Sequence, residues 1–200
     1  SGNICTPQAA KRAVLAGCSH LRVGVGSGSM GSTRIHTGVG YPQLSAVYQI
    51  YKKIKSCKLD SIKIIADGGI RNSGDAAKYL AAGADGVMLG WELAKTIEAP
   101  GWNHCGWEPL DIETPVSFPT IQPEPIFIKQ FRGQTSEEFQ MDNCEPSNCP
   151  EGISKKLVWG GKHVQDIVSQ YRGYLANTLN FVGLSNSLDL NPKNVSMIQI

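Results

Sequence analysis

Apolar positions along this chain form two alternating kinds of segment. Leu21 to Val25, Ile62 to Ala66 and Val87 to Leu89 are short continuous runs of the buried-strand type. Between them, Gln43 to Ser56 places Leu44, Val47, Ile50, Tyr51 and Ile54 on one side of a predicted helix. Thr6-Pro7 reads as an N-cap followed by proline at the first helical position, with the helix running through Ala16 and closed by Gly17. Ser73 is the expected cap of a helix that ends at Gly83, and Trp91 to Thr96 starts another. A last amphipathic helix is expected over about His163 to Phe181, and Val195 to Ile200 reads as a short strand.

Strand and helix alternating in units of roughly 25 to 40 residues predict parallel strands with right-handed crossovers. Only three clear strands of this kind are present, and the chain opens at what reads as the end of another, Gly2-Asn3-Ile4. A closed eight-stranded barrel needs about 250 residues. The 200 residues are therefore expected to form an α/β fold, a partial (β/α) barrel. Residues 102–125 break the pattern: five prolines from Pro109 to Pro125 exclude a helix or a central strand and predict an irregular surface insertion. Order is expected to return at Ile126-Phe127-Ile128, with a second irregular stretch from Met141 to Gly152.

The net charge of +2 gives no general attraction to nucleic acid or membranes. No apolar run reaches the ~18 residues of a membrane span, and no secretion signal is evident at the N-terminus. The six cysteines are widely spaced, which favours reduced thiols and a cytoplasmic setting. His104, Cys105, Cys144 and Cys149 match no standard zinc spacing.

The chemistry concentrates in glycine. Ile65-Ala66-Asp67-Gly68-Gly69-Ile70-Arg71 and Val87-Met88-Leu89-Gly90 each end an apolar run in glycine where a strand should pass to a helix. Such tandem junctions cradle phosphate in parallel α/β proteins. A third glycine-rich loop, Gly24 to Arg34, lies upstream, in a predicted loop of 17 positions, Gly26 to Pro42, with five glycines. Its length argues for function rather than simple connection.

These three segments resemble the inosine monophosphate dehydrogenase and guanosine monophosphate reductase family. So do Gly2-Asn3-Ile4-Cys5-Thr6, Thr37-Gly38-Val39-Gly40-Tyr41-Pro42-Gln43, Ala82-Gly83-Ala84-Asp85-Gly86, Glu98-Ala99-Pro100-Gly101, Phe131-Arg132-Gly133 and Gly183-Leu184. The resemblance covers nearly the whole chain apart from 102–125 and looks like the C-terminal part of the family's catalytic barrel, with 139–152 as a shortened flap.

The resemblance implies a purine nucleoside monophosphate as ligand. Asp67, with Gly68 beside it, would hold the ribose hydroxyls, and Ser29, Gly69 and Gly90 the 5′-phosphate. Trp91 stands where the family has serine or glycine, and Phe131 where it has tyrosine. Gly133 and Gln134 would contact the base. Thr33 and Glu151 match residues that assist proton transfer in the reductase branch. Carbonyls of Gly26, Gly28 and Gly31 match a loop that binds a monovalent cation in the dehydrogenase branch.

Gly31 itself occupies the position of the family's catalytic cysteine, whose thiolate attacks the purine. Glycine has no such group, which leaves a natural non-catalytic homologue, an inactivated variant, or another residue acting by another route. Residues 139–152 hold neither arginine nor tyrosine, the pair that activates water in the dehydrogenases. This favours NADPH-dependent reductive deamination of GMP. The alternatives are an NAD-dependent IMP dehydrogenase and a non-catalytic nucleotide-binding or structural homologue. A half barrel exposes strand edges and a broad apolar face, so the missing half or a partner chain is expected, and the family's habit implies a homo-oligomer.

Overall fold

The computed structural model describes residues 1–105, 126–143 and 148–196. Four parallel strands carry it: β1 (Gly2–Ile4), β2 (His20–Val23), β3 (Lys63–Asp67) and β4 (Gly86–Met88), in that spatial order. The register sets His20 against Lys63 and Val23 against Ala66, then Ala66 against Val87 and Asp67 against Met88. The apolar runs therefore form strands, shifted by one or two residues from the expected limits. Gly2–Ile4 is a fourth parallel strand.

Helices fill the crossovers: α1 (Pro7–Leu15), then α2 (Thr33–Thr37) and α3 (Gln43–Ser56), then α4 (Ser73–Ala81) and α5 (Trp91–Ala94). Thr6 caps α1 by accepting from the Ala9 N–H at 3.2 Å, and Gly17 follows with φ of +90°. Ser73 is not a cap. Asn72 takes that role, its Oδ1 accepting from the Asp75 N–H at 2.9 Å, and Ser73 is the first helical residue. Gly26 to Pro42 is not one loop, because α2 interrupts it. That helix buries none of its residues, so it left no apolar period to read.

One face of the sheet carries the core. Leu21, Val23, Ile64 and Ala66 are buried against Ala46, Val47, Ile50 and Ile54 of α3, with Ala76 and Tyr79 of α4. The buried stripe of α3 is displaced from the expected one: Ala46 belongs to it, whereas Leu44 is exposed. The long α7 (Val164–Phe181) closes the layer through Ile167 and Tyr171. Its N-cap is His163. The Glu98 carboxylate accepts from the Val164 N–H at 3.1 Å and meets His163 Nδ1 at 3.2 Å, which fastens the end of the fourth βα unit to this helix. Backbone N–H groups, its own and that of Val164, together with His163, hold the Glu98 carboxyl below its ordinary range.

A second sheet was not expected. Strands β5 (Asn103–Cys105), β6 (Ile126–Arg132) and β7 (Ser154–Val158) form an antiparallel trio, with α6 (Glu137–Asp142) between β6 and β7. The stretch from Met141 to Gly152 is thus irregular only in part. Its residues 144–147, most of the proline-rich insertion (106–125) and positions 197–200 of the expected tail strand lie outside the described residues. Val195 and Ser196 are not in a strand.

Candidate functional site

At the C-terminal ends of β2, β3 and β4 the chain makes three sharp changes of direction, and a cavity of about 680 Å³ opens between them. This is the end at which parallel α/β barrels place their ligands. The first wall is the loop Ser27-Gly28-Ser29-Met30-Gly31. The second is Asp67-Gly68-Gly69-Ile70-Arg71, and the third is Met88 with Gly90, Trp91 and Glu92. Phe131 and Lys155, from the antiparallel sheet, complete the lining.

The first two walls lock together tightly. Gly24 has φ of +153°, and a Cβ there would lie 2.0 Å from the Asp67 carbonyl oxygen. Gly68 has φ of +96°, and its Cβ would come within 2.5 Å of Ser27 Oγ. Only glycine allows the strand ends to approach so closely. Buried Gln43 bridges the gap from the helix side, its Nε2 donating to the carbonyls of Val23 at 2.6 Å and Asp67 at 3.1 Å. Ser27 Oγ donates to the same Asp67 carbonyl at 3.0 Å.

The Asp67 side chain is equally fixed. Its Oδ2 accepts from Asn3 Nδ2 at 2.7 Å and from Arg22 Nε at 2.9 Å. The second oxygen, Oδ1, has no partner among the described residues, so the carboxylate is held in place while half of its accepting capacity stays open.

Gly31 stands at the rim. An added Cβ would meet nothing within 4 Å. The residue pairs with Gly152 in an isolated antiparallel bridge, and the Ser32 N–H donates to the Glu151 carbonyl at 2.6 Å. The Ile153 N–H returns a bond to the Met30 carbonyl at 2.9 Å. Thus the chain after α6 is clasped to the glycine-rich loop. This brings the backbone of Glu151 beside Gly31 and Thr33, although neither Thr33 nor Glu151 lines the cavity.

Gly133 also lies outside the lining, donating its N–H to Ile153 at 3.2 Å and packing against Met30. Gln134 and Gly26 are likewise outside it. Trp91 does not turn away: it lines the cavity and packs edge-to-face with Phe131 at a centroid distance of 5.8 Å and 63°.

The structure thus brings together Ser29, Gly31, Asp67, Gly68, Gly69, Gly90 and Trp91, all anticipated. Sequence reasoning assigned no role to Arg71, Glu92 or Lys155. Arg71 stood in a quoted motif, whereas Lys155 lies on a strand with no apolar run to reveal it. Glu92 is tied to Lys95 at 2.7 Å. Among the described residues, no group of three or more His, Cys, Asp or Glu side chains is placed to hold a metal ion, and no helix is long and apolar enough to cross a membrane.

The family model for the IMP dehydrogenase / GMP reductase domain matches residues 1–200. The chain is similar to inosine-5′-monophosphate dehydrogenase of Borreliella burgdorferi, 38% identical over 191 residues, covering 95% of this chain and 45% of that protein. Against the Escherichia coli K12 enzyme of the same name it is 35% identical over 192 residues, covering 96% and 37%. In structure it resembles GMP reductase from Trypanosoma brucei, solved as a cysteine-to-alanine variant in complex with guanosine 5′-monophosphate. The TM-score is 0.79 at 32% identity, over 96% of this chain and 36% of that one. The chain therefore spans less than half the length of the relatives it matches.

Proposed function

This chain belongs to the IMP dehydrogenase / GMP reductase family, and from that premise we propose that it is a purine nucleoside monophosphate-binding part of an oxidoreductase, most like NADPH-dependent GMP reductase. The observation that carries the reading is the convergence of Ser29, Asp67, Gly69 and Gly90 on one cavity at the strand ends. Asp67 Oδ1 accepts from the ribose hydroxyls, while Asn3 and Arg22 hold the carboxylate in place through Oδ2. Backbone N–H groups of Gly69 and Gly90, with the Ser29 hydroxyl, take the 5′-phosphate. Gly68 lets the turn pass under it. Gly133 and Gln134, outside the cavity lining in the chain that follows β6, are proposed to reach over the base.

Gly31 has no nucleophile, so the covalent step of the family does not proceed through this position. Thr33 and Glu151, joined near Gly31 by the Ser32–Glu151 backbone bond though outside the cavity lining, are the residues proposed to move protons there. Met30, Met88 and Phe131 leave an apolar part of the lining that fits a nicotinamide ring. NADPH would supply a hydride when bound, or NAD in the alternative would take one. The carbonyls of Gly26, Gly28 and Gly31 are the proposed ligands of a monovalent cation.

The four parallel strands read as the last strands of a larger barrel of which residues 1–200 are the C-terminal part. The proline-rich insertion over 102–125 and the flap over 139–152 are additions to it. His20 and Arg22 point away from the core, on the face of β2 that lies opposite α3. That face of β2 is polar rather than the apolar face expected of a half barrel; what supports completion by the other half, in a longer chain, a partner or a homo-oligomer, is the pair of unpaired edges at β1 and β4 among the described residues.

A second reading, IMP dehydrogenase, draws support from the names of the curated relatives. Against it stand the absence of arginine and tyrosine from 139–152 and the presence of glutamate at Glu151. A third, non-catalytic nucleotide binding, draws support from Gly31. Spectrophotometry of NADPH with GMP, and of NAD with IMP, beside a GMP binding assay, separates the three. Oxidation of NADPH identifies the reductase, reduction of NAD the dehydrogenase, and binding without turnover the non-catalytic homologue.

A further inference from the structure

The charges around the cavity do not balance, and the imbalance singles out one residue. Asp67 is paired with Arg22 at 2.9 Å, and Glu92 with Lys95 at 2.7 Å. Arg71 and Lys155 also line the cavity, and among the described residues neither is in an ion pair with a carboxylate. Two uncompensated cations beside glycine N–H groups and serine hydroxyls suit a dianion better than a neutral ligand. Arg71 is partly offset, because the Asp75 carboxylate accepts from its backbone N–H at 3.2 Å. Lys155 has no comparable neighbour. Glu138, across a groove that Lys155 also borders, accepts from Ser154 at 2.7 Å instead.

Lys155 is also aimed. The β6–β7 ladder sets it directly across from Phe131, so both side chains project from the same face of that sheet. Phe131 packs edge-to-face with Trp91, and Lys155 Nζ lies over the Trp91 ring, 5.3 Å from its centroid. Cation–π attraction holds the ammonium on the face of Trp91 without neutralising it, in the cavity that Gly90 also lines. Neither Phe131 nor Trp91 has a hydroxyl to offer a phosphate.

We propose that Lys155 makes this site selective for the phosphorylated form of its ligand, recognising the phosphate monoester dianion as a point charge held on the face of Trp91. The proposal rests on the nucleotide reading above. It replaces hydroxyl donors by charge, which brings a strong dependence on ionic strength.

The test is calorimetric titration with GMP and with guanosine at two salt concentrations, on the chain as it stands and on Lys155→Met and Lys155→Arg. Methionine keeps the apolar contact with Trp91, and the exposed position leaves the thermal midpoint unchanged. Lys155→Met should weaken GMP binding by about tenfold or more and flatten its salt dependence, with guanosine unaffected and arginine restoring most of the loss. GMP affinity within about twofold of the parent, or equal losses for GMP and guanosine, would overturn the role of Lys155. If the parent chain binds neither ligand, the nucleotide reading fails first and this proposal falls with it.

Discussion

Ser32 donates its backbone N–H to the carbonyl of Glu151 at 2.6 Å, joining the glycine-rich loop to a segment more than a hundred residues later in the chain. With the return bond from Ile153 to Met30, this clasp sets the geometry of the position that would carry a nucleophile. The two glycines of the bridge differ sharply in what they tolerate. At Gly31 a Cβ meets nothing, whereas at Gly152 it would lie 2.4 Å from the Ser136 nitrogen. Gly31→Ala should therefore change stability by less than about 0.5 kcal/mol. Gly152→Ala should cost about 1–3 kcal/mol, since backbone must move. Chemical denaturation of the two variants side by side checks this.

The same open space makes Gly31→Cys the natural gain-of-function variant. The thiol should be alkylated by iodoacetamide and protected by GMP, because the position lies on the cavity wall. Mass spectrometry of the labelled peptide reads both. Labelling indifferent to nucleotide would place the ligand elsewhere.

Gln43 is the link between fold and site. Its two bonds to Val23 and Asp67 tie the strand ends together, and removing them takes a donor from the Val23 carbonyl and leaves the Asp67 carbonyl to Ser27 Oγ. Gln43→Ala should destabilise the chain by about 2 kcal/mol. It should also weaken nucleotide binding through Asp67, an effect that a substitution at exposed Leu44 on the same helix should not produce. Denaturation midpoints and GMP titrations on both variants test the distinction.

Tyr171 gives an alkaline signature. Burial, with Glu92 and Asp75 nearby, pushes its hydroxyl up to about 12. Its ordinary value is about 10 in the unfolded chain. The neutral form is thus favoured in the folded state. Its contribution to stability is fully present below pH about 10 and is lost as pH rises from there toward 12. The hydroxyl is buried with no partner among the described residues. Tyr171→Phe should accordingly raise stability at neutral pH by about 1 kcal/mol and reduce the alkaline loss. Thermal midpoints between pH 7 and 11 measure both effects.

The sequence made the parallel sheet legible because its strands bury one face continuously: Leu21, Val23, Ile64 and Ala66 lie in apolar runs that end in glycine. The same glycines marked most of the cavity, since close approach of two strand ends leaves few other choices. Strand β7 was not legible. Among its five residues only Leu157 is buried, and Ser154-Lys155-Lys156 reads as a polar loop. Helix α2 escaped for a similar reason, with Ile35 82% exposed. Asn72 and Ser73 are both good caps. The extended backbone of Asn72 decided between them, and that is set by the turn from β3 rather than by residue type. Lys155 could not be placed without β7, which is why no basic residue of the cavity was assigned a role, whereas Gly68, Gly69 and Gly90 lie where the strand-end junctions put them.

The most direct test of the account is calorimetric titration of this chain with GMP and with IMP, repeated on Asp67→Ala. Saturable binding of a purine monophosphate that disappears in the variant, with the fold intact by circular dichroism, is the predicted result. Binding that persists without the Asp67 carboxylate, or no binding of either nucleotide to the parent chain, would contradict it.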